Sequence, residues 1–280
     1  MSAEYSIRAL LGSSLLPANE ARILLADVIN KHYQLPRSAL LSQDDLALSP
    51  IALSDWKTLE SKRLAGEPIA YLIGKKGFHE IELTVAPGVL IPRPETELLV
   101  DLALDAIKQV AGTVTVLDLG TGSGAIALAI AHSANNAVVT ATDQSIAALQ
   151  IAQQNARNLK LDKRVNFKQG SWYQALEGNH QFDVIVSNPP YIAKGDIHLG
   201  QGDLRFEPQS ALTDELDGLS SLKVIIFGTN AHLKPEGLIA VEHGFDQGDA
   251  VMGMMAEAGF RDIQNHTDLA GHPRVSTARK

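Results

Sequence analysis

The segment Asn188-Pro189-Pro190-Tyr191 contains the residues of this sequence that are best suited to chemistry. Its two prolines stiffen the chain and remove two backbone donors, which leaves the Asn188 side-chain oxygen and the Pro189 carbonyl oxygen as acceptors. Two fixed acceptors at this spacing can hold both hydrogens of a planar NH2 group, and Tyr191 can lie flat on that group. The segment predicts catalysis by positioning at an NH2 nitrogen, without a general base. A rigid turn is the alternative.

A glycine loop, Gly120–Gly124, follows the apolar run Val114–Leu119 and precedes a helical pattern. Glycines let the chain turn sharply and let a ligand approach the main chain. The spacing is G-x-G-x-G, not the G-x-G-x-x-G that seats a dinucleotide pyrophosphate. Asp118 at the strand end would repel a pyrophosphate and suits a cationic amino-acid tail. Asp143, which ends the next predicted strand, can accept both hydroxyls of a ribose.

Together the loop and Asp143 predict a site for adenosine with a cationic extension, and S-adenosylmethionine fits this description. The alternatives are a tight turn without a ligand for the glycines and a helix-capping or turn residue for Asp143.

The elements that must position these residues follow an alternating strand and helix pattern from residue 113 onward. The predicted strands are Val114–Leu119, Ala137–Thr142, Val165–Gln169, Phe182–Ser187 and Leu238–Glu242. The predicted helices are Ala125–Ala131, Ser145–Asn158, Leu219–Leu233 and Gln247–Ala258. This alternation predicts an α/β fold with a mostly parallel, doubly wound sheet.

The first part of the chain differs in its sequence pattern from the rest, and this pattern predicts short helices around a small core. Asn19 is a candidate cap for one helix, and Ser49 with Pro50 opens another. Residues 77–91 alternate and contain the turn residues Pro87 and Gly88, which suggests a short β-hairpin.

Composition excludes several classes of protein. The 280 residues are 45 % apolar and 20 % charged, with a net charge of −8, so a disordered chain is excluded and a role in stable nucleic-acid binding is not expected. The absence of cysteine excludes thiolate metal sites and cysteine nucleophiles, and the scattered histidines predict no metal site. With no signal sequence and no long apolar run, we expect a cytoplasmic protein without a membrane segment.

With both motifs in place, the chain resembles the class I S-adenosylmethionine-dependent methyltransferases. More narrowly, it resembles the HemK/PrmC family, the N5-glutamine methyltransferases that modify peptide chain release factors. Besides the two motifs, the resemblance includes the segments Gly66–Gly74, Ile91–Glu97, Gln201–Pro208 and Glu242–Gly244.

The resemblance implies a Rossmann-like catalytic domain with a seven-stranded, mostly parallel sheet at residues 93–280. It also implies a small helical-bundle domain for substrate recognition at 1–76 and a β-hairpin linker at 77–92. The expected cofactor is S-adenosyl-L-methionine, with S-adenosyl-L-homocysteine as product. The expected cofactor-binding residues are Gly120, Thr121, Gly122, Ser123, Gly124, Asp143, Trp172 and Asn188.

The implied reaction methylates the glutamine of the Gly-Gly-Gln motif in class 1 release factors, which assists translation termination. Asn188, Pro189 and Tyr191 are the expected catalytic residues, and with Pro190 they are the expected substrate-binding residues. The alternatives are methylation of adenine N6 in a nucleic acid, methylation of a glutamine in a ribosomal protein, and a non-catalytic adapter with a vestigial pocket.

Three positions leave questions open. Relatives in this family often have an acid where this chain has Ser171, so we expect a weaker contact with the adenine. Trp172 either covers the adenine face or only packs in the core. Arg205 either shapes a substrate channel or pairs with an acid.

Overall fold

The computed structural model describes residues 3–280, which form two compact units that meet in sequence between Gly74 and Lys75. The first unit is helical and contains a single isolated β-bridge, between Ser6 and Ala47. Every β-strand of the described residues lies in the second unit. Within residues 3–280, no helix combines the length and the apolar character needed to cross a membrane.

The first unit is a small helical bundle with its own core. Its helices are α1 (Ile7–Ser13), α2 (Ala18–Tyr33), α3 (Ala39–Ser42), α4 (Pro50–Leu64) and α5 (Ile69–Ile73). Trp56 of α4 is fully buried in this core. The Ser49 side chain caps α4 by accepting a hydrogen bond from the Ala52 N–H, as predicted. The prediction for Asn19 is wrong, because α2 begins at Ala18 directly after Pro17 and Asn19 therefore lies inside the first turn.

A two-stranded hairpin opens the second unit. Strands β1 (Lys75–Phe78) and β2 (Ile81–Thr84) are antiparallel, and the pairing of Phe78 with Ile81 places the turn at His79 and Glu80. Pro87 and Gly88 do form a turn, closed by a hydrogen bond from the Val89 N–H to the Ala86 carbonyl, but it lies after β2, so the prediction that they close the hairpin is wrong. His79 adopts a left-handed φ of 50°, and its N–H donates to Glu97 Oε1 at 3.0 Å, which holds the tight turn in place.

The rest of the second unit is a seven-stranded sheet with helices. Its strands are β3 (Val114–Leu119), β4 (Ala137–Asp143), β5 (Val165–Gln169), β6 (Phe182–Ser187), β7 (Leu233–Glu242), β8 (Arg261–Thr267) and β9 (Pro273–Arg279). Its α-helices are α6 (Glu97–Lys108), α7 (Ala125–Ser133), α8 (Ile146–Asn158), α9 (Ser220–His232) and α10 (Gly248–Glu257). The strand order is β5-β4-β3-β6-β7-β9-β8, with β9 antiparallel to both of its neighbours. This confirms the seven-stranded, mostly parallel sheet.

Hydrophobic patterning located the five parallel strands and missed the antiparallel pair. Strands β3 and β6 are buried almost throughout, because parallel strands between helices are covered on both faces. Strand β8 lies at the edge of the sheet and has no fully buried residue, so its sequence has no strong apolar run. Strand β7 begins at Leu233 rather than at Leu238.

The order of the strands determines where a ligand can bind. The chain passes from β3 outward through β4 and β5 and then returns to β6 on the other side of β3. Such a reversal opens a crevice at the carboxyl ends of the two central strands. Leu119 and Ser187, the last residues of β3 and β6, are paired in the sheet. The glycine loop and the Asn-Pro-Pro-Tyr segment therefore leave the sheet side by side.

Candidate active site

A cavity lies at the carboxyl ends of β3, β4, β5 and β6, with an empty volume of about 770 Å³ that includes its open mouth. We call it the main cavity. Its wall includes Gly120, Gly122, Asp143, Ser171, Trp172, Asn188 and Pro190. Two segments from outside the sheet, Gly88–Leu90 and Pro208–Ala211, complete the wall, the latter through Pro208, Ser210 and Ala211. The fold thus brings both sequence motifs to one site.

Hydrogen bonds hold the glycine loop to β4, and two of its glycines line the main cavity. The N–H groups of Gly120 and Thr121 both donate to the Thr142 carbonyl at 2.9 Å. Gly122 has a φ of 57°, and a Cβ built there meets no protein atom within 4 Å, so this position faces open space in the main cavity. A side chain at Gly122 would occupy space that the loop leaves to a ligand.

The other three residues of the loop support it and do not line the main cavity. Thr121 and Ser123 are buried, and the Thr121 hydroxyl donates to Asp118 Oδ2 at 2.6 Å. Gly124 has a left-handed φ of 85°, and a Cβ there would come within 3.2 Å of Ala152 Cβ on α8, so glycine suits both the backbone conformation and the close approach of α8.

Asp118 lies behind the glycine loop and not in the wall of the main cavity. It is fully buried, and its Oδ2 also accepts a hydrogen bond from the Ala127 N–H at 3.2 Å. Burial raises the pKa of this carboxyl to about 7. Its Oδ1 has no hydrogen-bond partner among the described residues and remains available as an acceptor. Asp118 thus stabilises the glycine loop through hydrogen bonds, a role that the sequence pattern did not indicate.

Asp143 lines the main cavity with a carboxylate that the backbone holds on both oxygens. Its Oδ2 accepts a hydrogen bond from the Gly122 N–H at 2.9 Å, and its Oδ1 accepts one from the Ser145 N–H at 2.8 Å. Burial raises the pKa of Asp143, while these backbone donors act in the opposite direction. Each oxygen keeps further lone-pair capacity, so the fixed carboxylate can accept two hydroxyl groups from a ligand.

Trp172 lies between the main cavity and a hydrophobic core and contacts both. It begins the short 3-10 helix Trp172–Ala175 after β5, lines the main cavity and packs against one of the hydrophobic cores. A Cβ at Gly120 would come within 3.2 Å of the Trp172 ring, so the glycine loop and the indole lie in close contact. Ser171 lines the same wall and makes no side-chain capping bond to this short helix.

The Asn188 amide has a defined orientation at the edge of the main cavity. Its Nδ2 donates to the hydroxyl oxygen of Thr96 at 3.1 Å, and Thr96 is itself buried. The Oδ1 of Asn188 makes no hydrogen bond to another described residue and can therefore accept one from a ligand. Pro190 also lines the main cavity, whereas Pro189 is buried.

Tyr191 belongs to a second, more open groove, which we call the side groove. Its hydroxyl donates to Glu242 Oε1 at 3.1 Å, and its main-chain oxygen accepts a hydrogen bond from Gln247 Nε2 at 3.0 Å. Glu242, Arg93 and Arg274 line the side groove with it. The Asn-Pro-Pro-Tyr segment therefore lies between the main cavity and the side groove. Pro190 lines the main cavity, and Tyr191 lines the side groove.

Glu242 is a buried acid that motif analysis did not single out as functional. It ends β7 and is 1 % exposed, and burial raises the pKa of its carboxyl to about 7. The hydrogen bond from the Tyr191 hydroxyl to Oε1 acts to lower this pKa, and Oε2 has no hydrogen-bond partner among the described residues. In the sequence, the signal for Glu242 was an acid at the end of a predicted apolar strand. Thr96 appeared there only as part of the proline-rich segment Ile91–Glu97.

Glu207 joins the two outer segments of the main cavity. Its side chain is buried, forms an ion pair with Arg93, and accepts a hydrogen bond from the Ile91 N–H at 2.9 Å. Arg205 makes no such pair. Its Nε donates to the Gly202 carbonyl, and its guanidinium lies 5.4 Å from the centre of the Phe206 ring. The acid and arginine that pair are thus Glu207 and Arg93.

Comparisons with known proteins agree with this arrangement. Residues 6–74 match the family model for the PrmC N-terminal domain, and residues 95–203 match that for the methyltransferase small domain. A release factor glutamine methyltransferase of Burkholderia pseudomallei is 47 % identical over 96 % of this chain and 94 % of its own length. One of Bordetella pertussis is also 47 % identical, over 96 % of this chain and 97 % of its own.

A solved structure shows the same fold in a more distant protein. The Thermus thermophilus 16S rRNA N2 G1207 methyltransferase, in complex with AdoMet and guanosine, aligns with a TM-score of 0.54 and 20 % identity. The alignment covers 74 % of this chain and 49 % of that one. The second unit therefore has a methyltransferase fold.

Proposed function

We propose that this chain, which belongs to the family of release factor glutamine methyltransferases, transfers a methyl group from S-adenosylmethionine to a glutamine side-chain nitrogen in a peptide chain release factor. The observation that carries the proposal is the orientation of Asn188. Its Nδ2 donates one hydrogen to Thr96 while its Oδ1 has no hydrogen-bond partner among the described residues, so the side chain offers an acceptor, which is what an NH2 group requires.

The main cavity fits the proposed cofactor. Asp143 offers a fixed carboxylate to the ribose, and Trp172 and Ser171 offer an aromatic face and a hydroxyl near the adenine. Gly120 and Gly122 leave room for the methionine part of the cofactor at the loop. S-adenosylmethionine, when bound, supplies an electrophilic methyl group on a sulfonium centre, and S-adenosylhomocysteine is the product.

Asn188 and Pro189 would hold the glutamine amide through its two hydrogens. A primary amide nitrogen is a weak nucleophile because its lone pair is delocalised. As the nitrogen gains the methyl group it becomes positive, and its hydrogens become stronger donors to the Asn188 and Pro189 oxygens. These hydrogen bonds are therefore stronger in the transition state than in the ground state, which is the condition for catalysis. The methylated nitrogen would then pass one of its two protons to water.

The rest of the chain would serve substrate recognition. We propose that the glutamine side chain reaches Asn188 from the side groove, past Tyr191, which is held by Glu242. The helical first unit would bind the release factor, as predicted for the N-terminal domain. We expect the reaction in the cytoplasm, where release factors meet ribosomes, with no stable nucleic-acid complex.

Mass spectrometry of a purified class 1 release factor tests this function. We expect a gain of about 14 mass units, one CH2, on the Gly-Gly-Gln peptide after incubation with the protein and S-adenosylmethionine. Asn188→Ala should keep cofactor affinity and lose about 10²- to 10³-fold in turnover, the loss typical of one preorganised hydrogen-bonding group.

Asn166→Ala is the matched control, because Asn166 is exposed on β5 away from the main cavity wall. It should retain full turnover. An unmodified Gly-Gly-Gln peptide, or methyl label transferred to adenine in an oligonucleotide instead, would contradict the proposal. Full turnover by Asn188→Ala would contradict the acceptor mechanism.

A further inference from the structure

We propose that Asn155, a buried residue of α8 that lines neither the main cavity nor the side groove, is a positioning residue for the cofactor site. It joins the end of the hairpin to the glycine loop, so that two parts of the main cavity wall are held in place together. This inference rests on the function proposed above and deepens it, because it concerns the binding of the same cofactor.

Asparagine is an unfavourable residue for the interior of a helix, because its short amide competes for backbone hydrogen bonds. Asn155 nevertheless lies within α8 and is 1 % exposed. Its three side-chain hydrogen bonds all go to other segments of the chain. The reason for an asparagine at this position is therefore tertiary.

The amide of Asn155 bonds two segments at once. Its Oδ1 accepts a hydrogen bond from the Thr84 N–H at 2.7 Å, and its Nδ2 donates to the Thr84 carbonyl at 3.0 Å and to the Ser123 carbonyl at 2.9 Å. Because one partner is a donor and two are carbonyls, a single orientation of the amide satisfies all three. Aspartate has no donor and leucine has no polar atom, so neither can form this set of bonds.

Both partners of Asn155 belong to segments that supply the wall of the main cavity. Ser123 is a buried residue of the glycine loop and directly follows Gly122, which lines the main cavity. Thr84 ends β2, and the wall segment Gly88–Leu90 begins four residues later. One amide therefore links the glycine loop to the segment that enters the wall from the hairpin.

One face of α8 makes this link possible. Ala148, Ala152 and Asn155 follow one another at intervals of four and three residues, which places them on the same side of the helix, and all three are buried. Ala148 lines the main cavity, and a Cβ at Gly124 would come within 3.2 Å of Ala152 Cβ. Small residues at these positions let α8 approach the glycine loop closely enough for Asn155 to bond Ser123.

Loss of the Asn155 amide would loosen both parts of the wall. The Ser123 carbonyl would lose a donor in a buried place, and Thr84 would lose a partner for its N–H and for its carbonyl. The wall would then have its binding conformation for a smaller fraction of the time, and the apparent cofactor affinity falls by that fraction. The proposed methyl transfer takes place at Asn188, so kcat with saturating cofactor would change little.

Asn155→Leu removes all three hydrogen bonds at nearly constant volume. We expect the Kd for S-adenosylhomocysteine, measured by calorimetry, to rise about 10-fold, while kcat at saturating S-adenosylmethionine stays within about threefold of the wild type. Asn158→Ala, exposed on the same helix, should keep the wild-type Kd. Ile107→Ala controls for stability, because Ile107 is buried on α6 and lines neither the main cavity nor the side groove. Thermal unfolding of each variant measures its stability.

Hydrogen exchange in the wild type does not depend on how well a variant folds. The Thr84 N–H lies outside the cavity wall, and bound S-adenosylhomocysteine should slow its exchange by about fivefold or more, because the cofactor holds the segments that Asn155 links. The His79 N–H is the matched control, since it lies in the turn of the same hairpin and also donates to a side-chain oxygen, that of Glu97. Its exchange should change little.

The outcomes distinguish this inference from the proposed function. If the wild type binds S-adenosylhomocysteine and Asn155→Leu binds it equally well, or Ile107→Ala weakens binding as much, the inference is wrong and the function stands. Equal slowing of exchange at Thr84 and His79 would also overturn the inference. A wild type that binds the cofactor but leaves the Gly-Gly-Gln peptide unmodified contradicts the proposed function and not the inference. If the wild type binds no S-adenosylhomocysteine, both fail.

Discussion

Asp143 shows how a single side chain is prepared for a ligand before the ligand binds. Its two oxygens are each held by a backbone N–H group, from Gly122 and Ser145, so the carboxylate cannot rotate. A fixed acceptor loses little conformational entropy on binding, which is the general advantage of preorganisation. Because Gly122 belongs to the glycine loop, the same contact also couples the loop to the end of β4.

We predict that Asp143→Asn weakens cofactor binding about 10- to 100-fold. The substitution removes the charge and turns one acceptor into a donor, which faces a backbone N–H, and hydrogen bonds to charged groups contribute about 1.5–3 kcal/mol. Calorimetry with S-adenosylhomocysteine measures the effect. Asp162→Asn, at an exposed position after α8, should bind normally. Equal affinities for the two variants would contradict the role given to Asp143.

At the scale of elements, the outer wall of the main cavity depends on one buried ion pair. Glu207 is fully buried in its side chain and joins Arg93 to the segment that supplies Pro208, Ser210 and Ala211. The same carboxyl accepts the Ile91 N–H, next to Gly88–Leu90 in the wall. Two segments far apart in sequence are thus held together over the proposed cofactor site.

We predict that Arg93→Met destabilises the second unit by about 3–5 kcal/mol, because it leaves the Glu207 charge buried and unpaired. The double variant Arg93→Met with Glu207→Leu should recover most of that loss, since it removes both charges. Thermal unfolding measures both, and stopped-flow measurements should show faster cofactor release in the single variant. Lys194→Ala breaks an exposed ion pair with Glu215 and should change neither quantity. A single variant as stable as the wild type would contradict this role for the pair.

At the scale of the whole molecule, the two units have separate cores. Trp56 is buried in the core of the first unit, and every residue that lines the main cavity lies between Gly88 and Ala211. The protein contains only two tryptophans, and the other, Trp172, lines the main cavity. The two indoles therefore report on different units.

We predict that Trp56→Ala destabilises the first unit by about 3–5 kcal/mol, the usual loss for truncating a large core side chain, and leaves cofactor affinity unchanged. Calorimetric unfolding measures the first effect. Trp172, the only tryptophan left in this variant, reports the second through its fluorescence on titration with S-adenosylhomocysteine. Ile51→Ala, exposed on the same helix as Trp56, should leave both unchanged. A Kd more than fivefold higher in Trp56→Ala would contradict the independence of the cavity.

The sequence by itself determined the features that depend on neighbouring residues. The glycine loop, the stiff Asn-Pro-Pro-Tyr segment, the Ser49 cap and the five buried parallel strands were all predicted, because chain flexibility, capping and hydrophobic periodicity act over a few residues. The α/β class with a mostly parallel sheet followed from the alternation of strands and helices, and the resemblance to the family followed from the motifs in combination. Asp143, Trp172 and Asn188 were identified as site residues in this way, and the fold places all three in one cavity wall.

Only the tertiary structure decided which side chains support the site. Thr96 meets Asn188 across 92 residues of sequence, and Glu207 meets Arg93 across 114. It also placed Tyr191 in the side groove and Asp118 behind the glycine loop. Such pairings have no local pattern, since they arise when segments distant in sequence meet in the folded chain. Hydrogen-bond direction and raised pKa values likewise depend on burial, which only the packed molecule defines.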